Sequence, residues 1–286
     1  MPTNNATNTS NPVSETQGGT NQSSYSTGDI LYASAANTLS KLPISTLPGA
    51  RLQYNGTNAS WFDPSNETYL FDDFIGTITS QVMPNMCFTN VQSGTGSATT
   101  ASITNSNKNP GTLDLITGTT STGYSLIRLG SNNNTNWPII VGGGAITAIW
   151  LCKLSALSNG TDTYAARLGL MNANVAQAVN NGIYFDYNDT GALPNWNRAT
   201  AASNSRTVTD STVAASTNYV KLQMNINAAG SSIEYFINGV SVGSNVATIP
   251  SGAIGPCAFI LKSAGSTSVT LTVDYFYMYQ KLTSAR

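Results

Sequence analysis

The residues best suited to hold a sugar ring lie close together in the sequence. Tyr187, Trp196 and Arg198 combine two aromatic rings with a planar cationic donor, in a segment rich in Asn and Asp. An aromatic face can stack on a sugar ring, and a guanidinium can donate hydrogen bonds to its hydroxyl groups. This combination predicts a carbohydrate-binding loop. A second interpretation stays open, in which Trp196 anchors a long loop to the protein interior.

Oxygen ligands for a hard cation precede these aromatic residues. Asp186, Asn188 and Asp189 are spaced so that calcium could use their side-chain oxygens. The segment lacks the rest of a calcium-loop pattern and a bidentate glutamate, so an Asx-rich turn between two strands is the competing interpretation. Calcium is the one metal or cofactor for which the sequence offers candidate ligands.

The composition argues against catalysis. The chain has no histidine, which excludes Ser-His-Asp and Cys-His mechanisms and removes the commonest metal ligand. The spacing of Cys87, Cys152 and Cys257 fits neither a zinc motif nor a disulfide framework. Glycoside hydrolysis needs two carboxyl groups about 5–10 Å apart. Beyond residue 70 the chain has eight aspartates but only one glutamate, Glu234, so no strand carries a Glu-x-Asp-x-x-Glu pattern. We therefore expect no enzymatic activity.

The low charge restricts the class of partner. Charged residues make up 9% of the chain and the net charge is −1, whereas about a quarter of residues are charged in ordinary globular proteins. Without a basic stripe or a charged block, neither nucleic acid nor a membrane surface is expected as a partner. The N-terminus has no basic start and no apolar segment, so we expect neither a secretory signal nor a membrane span.

The sequence divides into an arm, a small module and a large domain. Residues 1–27 are mostly Asn, Thr, Ser and Gly and predict an extended, low-complexity arm, either a flexible tether or a segment that orders against neighbouring subunits. Residues 28–66 predict a small β module, with strands at 30–33, 38–42 and 51–54. Such a short piece cannot bury a core of its own. We expect it to attach the chain to other subunits and to form a trimer.

We expect this module to contact other subunits through its apolar side chains. The predicted attachment residues are Ile30, Leu31, Leu39, Leu42 and Trp61. The run GDILYASAANTLSKLP over residues 28–43, continued by LQYNGTNASW over 52–61, resembles a module of tail fibres and other virion appendages of tailed bacteriophages. The resemblance covers roughly residues 28–64. It implies a virion protein made in the host cytoplasm, with copies of itself and capsid or tail proteins as partners.

Residues 67–286 predict many short strands separated by turn residues. Apolar and polar residues alternate over 220–227, and an Asn-Gly pair at 238–239 predicts a hairpin with a type I′ turn. This hairpin, the IPSG loop at 249–252 and the VDYF strand at 273–276 resemble the concanavalin-like jelly roll of lectins and laminin-G-type domains. The expected fold is all-β, an antiparallel two-sheet sandwich. Tyr275, Tyr277 and Tyr279 could form an exposed ladder, a core face or an intersubunit face.

Two functions fit these patterns. The first is a structural phage virion protein, a fibre or decoration subunit attached through its N-terminal region, whose sandwich could bind host-surface glycans. The alternative is a free-standing lectin or carbohydrate-active enzyme. The sequence does not separate a head location from a tail location.

Overall fold

The computed structural model of the protein describes residues 13–14, 19–46, 48–54, 57–75, 88–101, 109–129, 138–173, 179–188 and 194–284. Within these ranges the regular structure is β-strand, apart from one short 3-10 turn at Pro64–Asn66. The chain separates into two compact units, Met1–Asn66 and Glu67–Arg286. The described ranges contain no helix with the length and apolar character needed to cross a bilayer.

The first unit consists of two hairpins. Strand β1 (Ile30–Ala35) pairs with β2 (Thr38–Leu42), and β3 (Arg51–Tyr54) pairs with β4 (Ala59–Phe62). Strands were predicted at the first three positions, whereas β4 was not predicted. Isolated two-stranded hairpins are marginally stable in water. The hairpins therefore need contacts beyond their own strand pairing.

The second unit is a sandwich of two antiparallel sheets, and the predicted all-β sandwich is confirmed. Its strands in chain order are β5 (Glu67–Asp72), β6 (Phe88–Ser93), β7 (Ser97–Ala101), β8 (Thr112–Ile116), β9 (Tyr124–Leu129), β10 (Gly144–Leu154), β11 (Thr163–Ala173), β12 (Val179–Asn188), β13 (Asn195–Ala202), β14 (Ser205–Ala214), β15 (Val220–Ile226), β16 (Ile233–Ile237), β17 (Val240–Asn245), β18 (Gly255–Ala264) and β19 (Thr270–Leu282).

Strand order explains how the two ends of this unit meet. The seven-stranded sheet has the order β14-β13-β12-β11-β18-β9-β6. The eight-stranded sheet runs β17-β16-β15-β10-β19 and continues from β19 to β8 and β7. Strand β19 is long enough to pair with β8 along its first half and with β5 along its second half. The last strand therefore closes the sheet against the first.

The main core lies between the two sheets. Along Val220–Ile226 buried and half-buried residues alternate strictly, as expected for a strand with one face in the core. Trp150 and Phe276 pack with ring centroids 4.4 Å apart, and Phe88 meets Phe276 edge to face at 6.3 Å. The turn after Ile237 has positive φ at Asn238 and Gly239, which fits the predicted hairpin.

The opposite face of the seven-stranded sheet is also buried. A second apolar cluster, with every member 0% exposed, consists of Leu126, Met171, Ala173, Tyr184, Ala199, Ala201, Cys257 and Phe259. Strands such as β11 and β12 are therefore covered on both sides, which explains their nearly continuous apolar sequences. Burial raises the pKa of the Cys257 thiol to about 12, so this cysteine is inert.

Candidate functional site

The two aromatic rings predicted to contact sugar lie inside the sandwich. Tyr187 in β12 and Trp196 in β13 are each 1% exposed, and their ring centroids are 5.8 Å apart. Tyr187 also packs on Tyr164 at 5.3 Å, and its hydroxyl accepts a hydrogen bond from the Ser158 backbone N–H at 2.9 Å. An enclosed ring offers no face to a sugar. The structure gives both residues a packing role, in line with the anchoring interpretation of Trp196.

Arg198 connects the two sheets. Its Nη1 donates to the backbone carbonyl of Ser244 at 3.0 Å, and its Nη2 points to the carbonyl of Asp210 at 3.5 Å. Ser244 belongs to β17 of the other sheet. The guanidinium is thus committed to backbone contacts rather than turned towards a ligand beside Trp196.

Asp186 forms ion pairs with two arginines. Its carboxylate is 1% exposed, Oδ1 accepts from Arg167 Nε at 2.6 Å, and Oδ2 accepts from Arg206 Nη2. A calcium ion at Asp186 would have to displace two cationic groups. Asn188 is half-buried at the end of β12, and Asp189 lies outside the described residues. Among described residues, no group of three or more His, Cys, Asp or Glu side chains could hold a metal.

Aromatic rings pack against the cluster of ion pairs formed by Asp186, Arg167 and Arg206. The Arg167 guanidinium lies 5.3 Å from the Phe259 ring centre and 5.8 Å from that of Tyr184, while Arg206 lies 5.6 Å from Tyr184. Strand register produces the arrangement, since Arg167 stands opposite Asp186 on one neighbour and Phe259 on the other. Burial raises the pKa of Tyr184, so its hydroxyl stays neutral. The cluster holds β11, β12 and β14 together.

The attachment residues lie on the two hairpins of the first unit. Ile30 stands opposite Leu42 on one face of the first hairpin, while Leu31 points to the other face and is 38% exposed. Leu39 is half-buried. Trp61 in the second hairpin donates from Nε1 to the Pro43 carbonyl at 2.6 Å, which connects the two hairpins.

The first unit has no apolar core among its described residues. Every apolar side chain described there keeps part of its surface exposed, and the first buried apolar residue in the described part of the chain is Phe74. Ile44 and Leu52 are 52% and 51% exposed, and Tyr54 is 72% exposed. Side chains of this type are normally covered in a stable fold.

An aromatic strip occupies the outer face of the eight-stranded sheet, away from the core. We define it as Tyr69, Phe71, Tyr275, Tyr277 and Tyr279. Tyr69 is 62% exposed and Phe71 43%. The three tyrosines of β19, for which the sequence left three locations open, are half-buried on this outer face. The strip depends on the pairing of β5 with β19, which joins residues about 200 positions apart in the sequence.

The strip is internally ordered. The Tyr69 and Tyr277 rings meet edge to face at 5.4 Å, and Phe71 lies 6.3 Å from Tyr275. Tyr279 donates its hydroxyl hydrogen to Glu67 Oε1 at 2.6 Å. Desolvation and this carboxylate raise the pKa of Tyr279, so the hydroxyl remains protonated.

A polar row continues from the strip across the same face. Strand pairing aligns Tyr279, Thr147, Asn225, Glu234 and Ser244 on β19, β10, β15, β16 and β17. At the far end a small open cavity of about 220 Å³ is lined by Asn225, Ile226, Asn227, Ser232 and Glu234. This row was not predicted from the sequence, although the alternation of polar residues in β15 and β16 was a usable signal.

Comparison with known proteins assigns the large domain. The family model of the SO2946-like C-terminal domain matches residues 108–278. The chain belongs to the SO2946-like family. Strands β5 to β7 precede the matched range and belong to the same two-sheet sandwich. A search of curated proteins found no match.

Several solved structures are similar to this chain, and SO2946 shares its fold. SO2946 from Shewanella oneidensis MR-1, described as a protein of unknown function, has a TM-score of 0.54 at 14% identity, over 77% of this chain and 89% of that one. A carbohydrate esterase of the Shiga toxin-encoding bacteriophage phi24B has a TM-score of 0.44 at 10% identity, over 67% and 90%. The carbohydrate recognition domain of Emp47p gives 0.46 at 8%, over 77% and 97%.

Proposed function

We propose that the protein is a non-catalytic structural subunit, a fibre or decoration protein of a phage virion. The observation that carries the proposal is the first unit, whose described residues form two hairpins without a buried apolar core. A segment of this kind gains its stability from association. Its role in this proposal is to attach the chain to the particle and to two further copies, as a trimer.

The sequence supports the same function. The resemblance of residues 28–64 to virion appendage modules favours a particle protein, and the low charge suits closely packed repeated copies. The SO2946-like sandwich would then project from the particle and contact glycans on the host surface. The missing histidine and the absence of a Glu-x-Asp-x-x-Glu strand favour binding over hydrolysis.

A free-standing lectin or carbohydrate-active enzyme is the alternative function. In that case the sandwich alone carries the function, and the first unit has no role. The exposed Leu31 on one face of the first hairpin, with half-buried Ile30 and Leu42 on the other, favours the attached subunit.

Imaging tests the proposal. Particles released by lysis of the host are purified, labelled with an antibody against the SO2946-like sandwich, and examined by electron microscopy. We expect label at regular positions on the particle. Chain that is abundant in the cleared lysate but missing from intact particles would contradict the virion function.

A further inference from the structure

We propose that the outer face of the eight-stranded sheet binds a neutral glycan chain, with the aromatic strip and the polar row as its contacts. The inference deepens the proposed function, because it assigns the glycan contact to a surface, and in that sense rests on it. The observation behind it is the alignment of the strip and the row on one face.

The aromatic strip provides the stacking surface. Its rings lie at the β5 edge of the sheet, where Tyr69 and Phe71 are the most exposed. Tyrosine combines an apolar ring with a hydroxyl group. Sugars present the same combination, with C–H groups on their ring faces and hydroxyl groups around their rims. A strip of four tyrosines and one phenylalanine therefore matches a glycan better than it matches a lipid or a purely apolar segment.

The polar row provides hydrogen bonds further along the face. Asn225 Oδ1 accepts from Thr147 Oγ1 at 3.2 Å and from Gln223 Nε2 at 3.0 Å, so the Asn225 amide is held in one orientation. Ser241 Oγ donates to Glu234 Oε1 at 2.9 Å. Fixed amide and carboxylate groups can discriminate between hydroxyl positions. The cavity beside Asn225 and Glu234 gives one sugar unit a recess at this end.

The dimensions suit a chain rather than a single sugar. Together with Tyr69 on β5, which pairs with Tyr279, the row crosses six strands and ends at Ser244 on β17. Neighbouring strands are about 4.8 Å apart, so the row is roughly 24 Å long. A ligand laid across the strands would contact rings at one end and amide or carboxylate groups at the other.

The charge of the face selects a neutral ligand. The parallel row next to it consists of Phe71, Tyr277, Ile149, Gln223, Phe236 and Ser241. Glu234 is the one charged residue in the two rows, whereas Glu67 with its cross-strand neighbour Lys281, and Lys221, lie beside them. Acidic glycans would find no cation in these rows and would be repelled by the Glu234 carboxylate.

The test uses the full chain in native gels that contain dextran, mixed-linkage β-glucan or galactomannan as neutral probes, or polygalacturonate as an acidic probe. We expect at least one neutral polysaccharide to retard the protein. Tyr69→Ala and Asn225→Ala should each weaken retardation about tenfold, the equivalent of one lost ring contact or hydrogen-bond pair. Val240→Ala, at a residue 68% exposed in β17 outside the two rows, is the matched control and should leave it unchanged. Circular dichroism confirms that each variant is folded.

Light scattering on the same samples separates this inference from the proposed assembly. A trimer that no neutral probe retards, or that only polygalacturonate retards, overturns the glycan site and leaves the assembly intact. A monomer that a neutral probe retards supports the site and contradicts the assembly. If Tyr69→Ala lowers the oligomer mass without weakening retardation, the strip is an interface between copies, and the glycan site is overturned.

Discussion

Replacing Asp186 by asparagine is expected to destabilise the sandwich strongly. The carboxylate is 1% exposed and holds Arg167, whose side chain is 8% exposed. Asp186→Asn keeps the shape of the side chain but removes its charge. The Arg167 guanidinium then remains charged in a place with little water and without its carboxylate.

The magnitude follows from burial. Removing one partner from a buried ion pair costs about 3–5 kcal/mol. For a domain of this size each kcal/mol lowers Tm by roughly 2–4 °C, so the variant should melt roughly 6–20 °C lower. Arg206→Ala removes the other cation, whose side chain is 30% exposed. Solvent screening limits its cost to about 1 kcal/mol.

Thermal melts followed by circular dichroism, with and without chelator, measure these effects. The exposed Glu234→Gln is the matched control and should shift stability by less than about 0.5 kcal/mol. Combining Asp186→Asn with Arg167→Met should recover part of the loss, because both buried charges are gone. An unchanged Tm for Asp186→Asn would refute the reasoning. A chelator-sensitive parent whose sensitivity disappears in Asp186→Asn would restore the calcium interpretation.

Three further predictions concern stability. Asp274→Asn should raise Tm at pH 7, because desolvation, reinforced by Asp73, raises the pKa of this carboxyl group and disfavours its charged form in the fold. The gain should vanish below about pH 4, where the folded and unfolded chains are both protonated, and an equal gain at both pH values would contradict it. Gly239→Ala should cost about 1–2 kcal/mol in urea unfolding, because φ is +84° in open space, whereas Gly160→Ala, also in open space but without positive φ, should be neutral. Trp196→Ala should cost about 3–5 kcal/mol without changing polysaccharide retardation by the folded protein, and the reverse pattern would return Trp196 to a sugar site.

The sequence predicts strands well where one face is buried and the other is exposed to solvent. Alternation located Val220–Ile226, and the Asn-Gly pair located the β16–β17 turn, because both signals are local. The prediction was less successful in β13, where Trp196 was placed in a loop. Asn195, Asn197 and Arg198 make that segment look solvent-exposed, yet both faces of the strand are covered by packing that the sequence does not display.

The candidate sites depended on register, which a single sequence does not specify. Asp186 looked like a metal ligand beside Asn188, but strand pairing places Arg167 opposite it and brings Arg206 within reach. The aromatic strip shows the same limit. The alternation of β19 defined a tyrosine face, whereas its completion by Tyr69 and Phe71 required β5 to pair with a strand about 200 residues later.

The mass of the full-length chain in solution, measured by multi-angle light scattering at micromolar concentration, tests the central claim most directly. An N-terminal unit that needs partners predicts three times the mass of one chain. Leu31→Asp, at an exposed apolar position of the first hairpin, should shift the population towards single chains, while Val240→Asp in the sandwich should not. A parent protein with the mass of one chain and a fully ordered first unit would contradict the account.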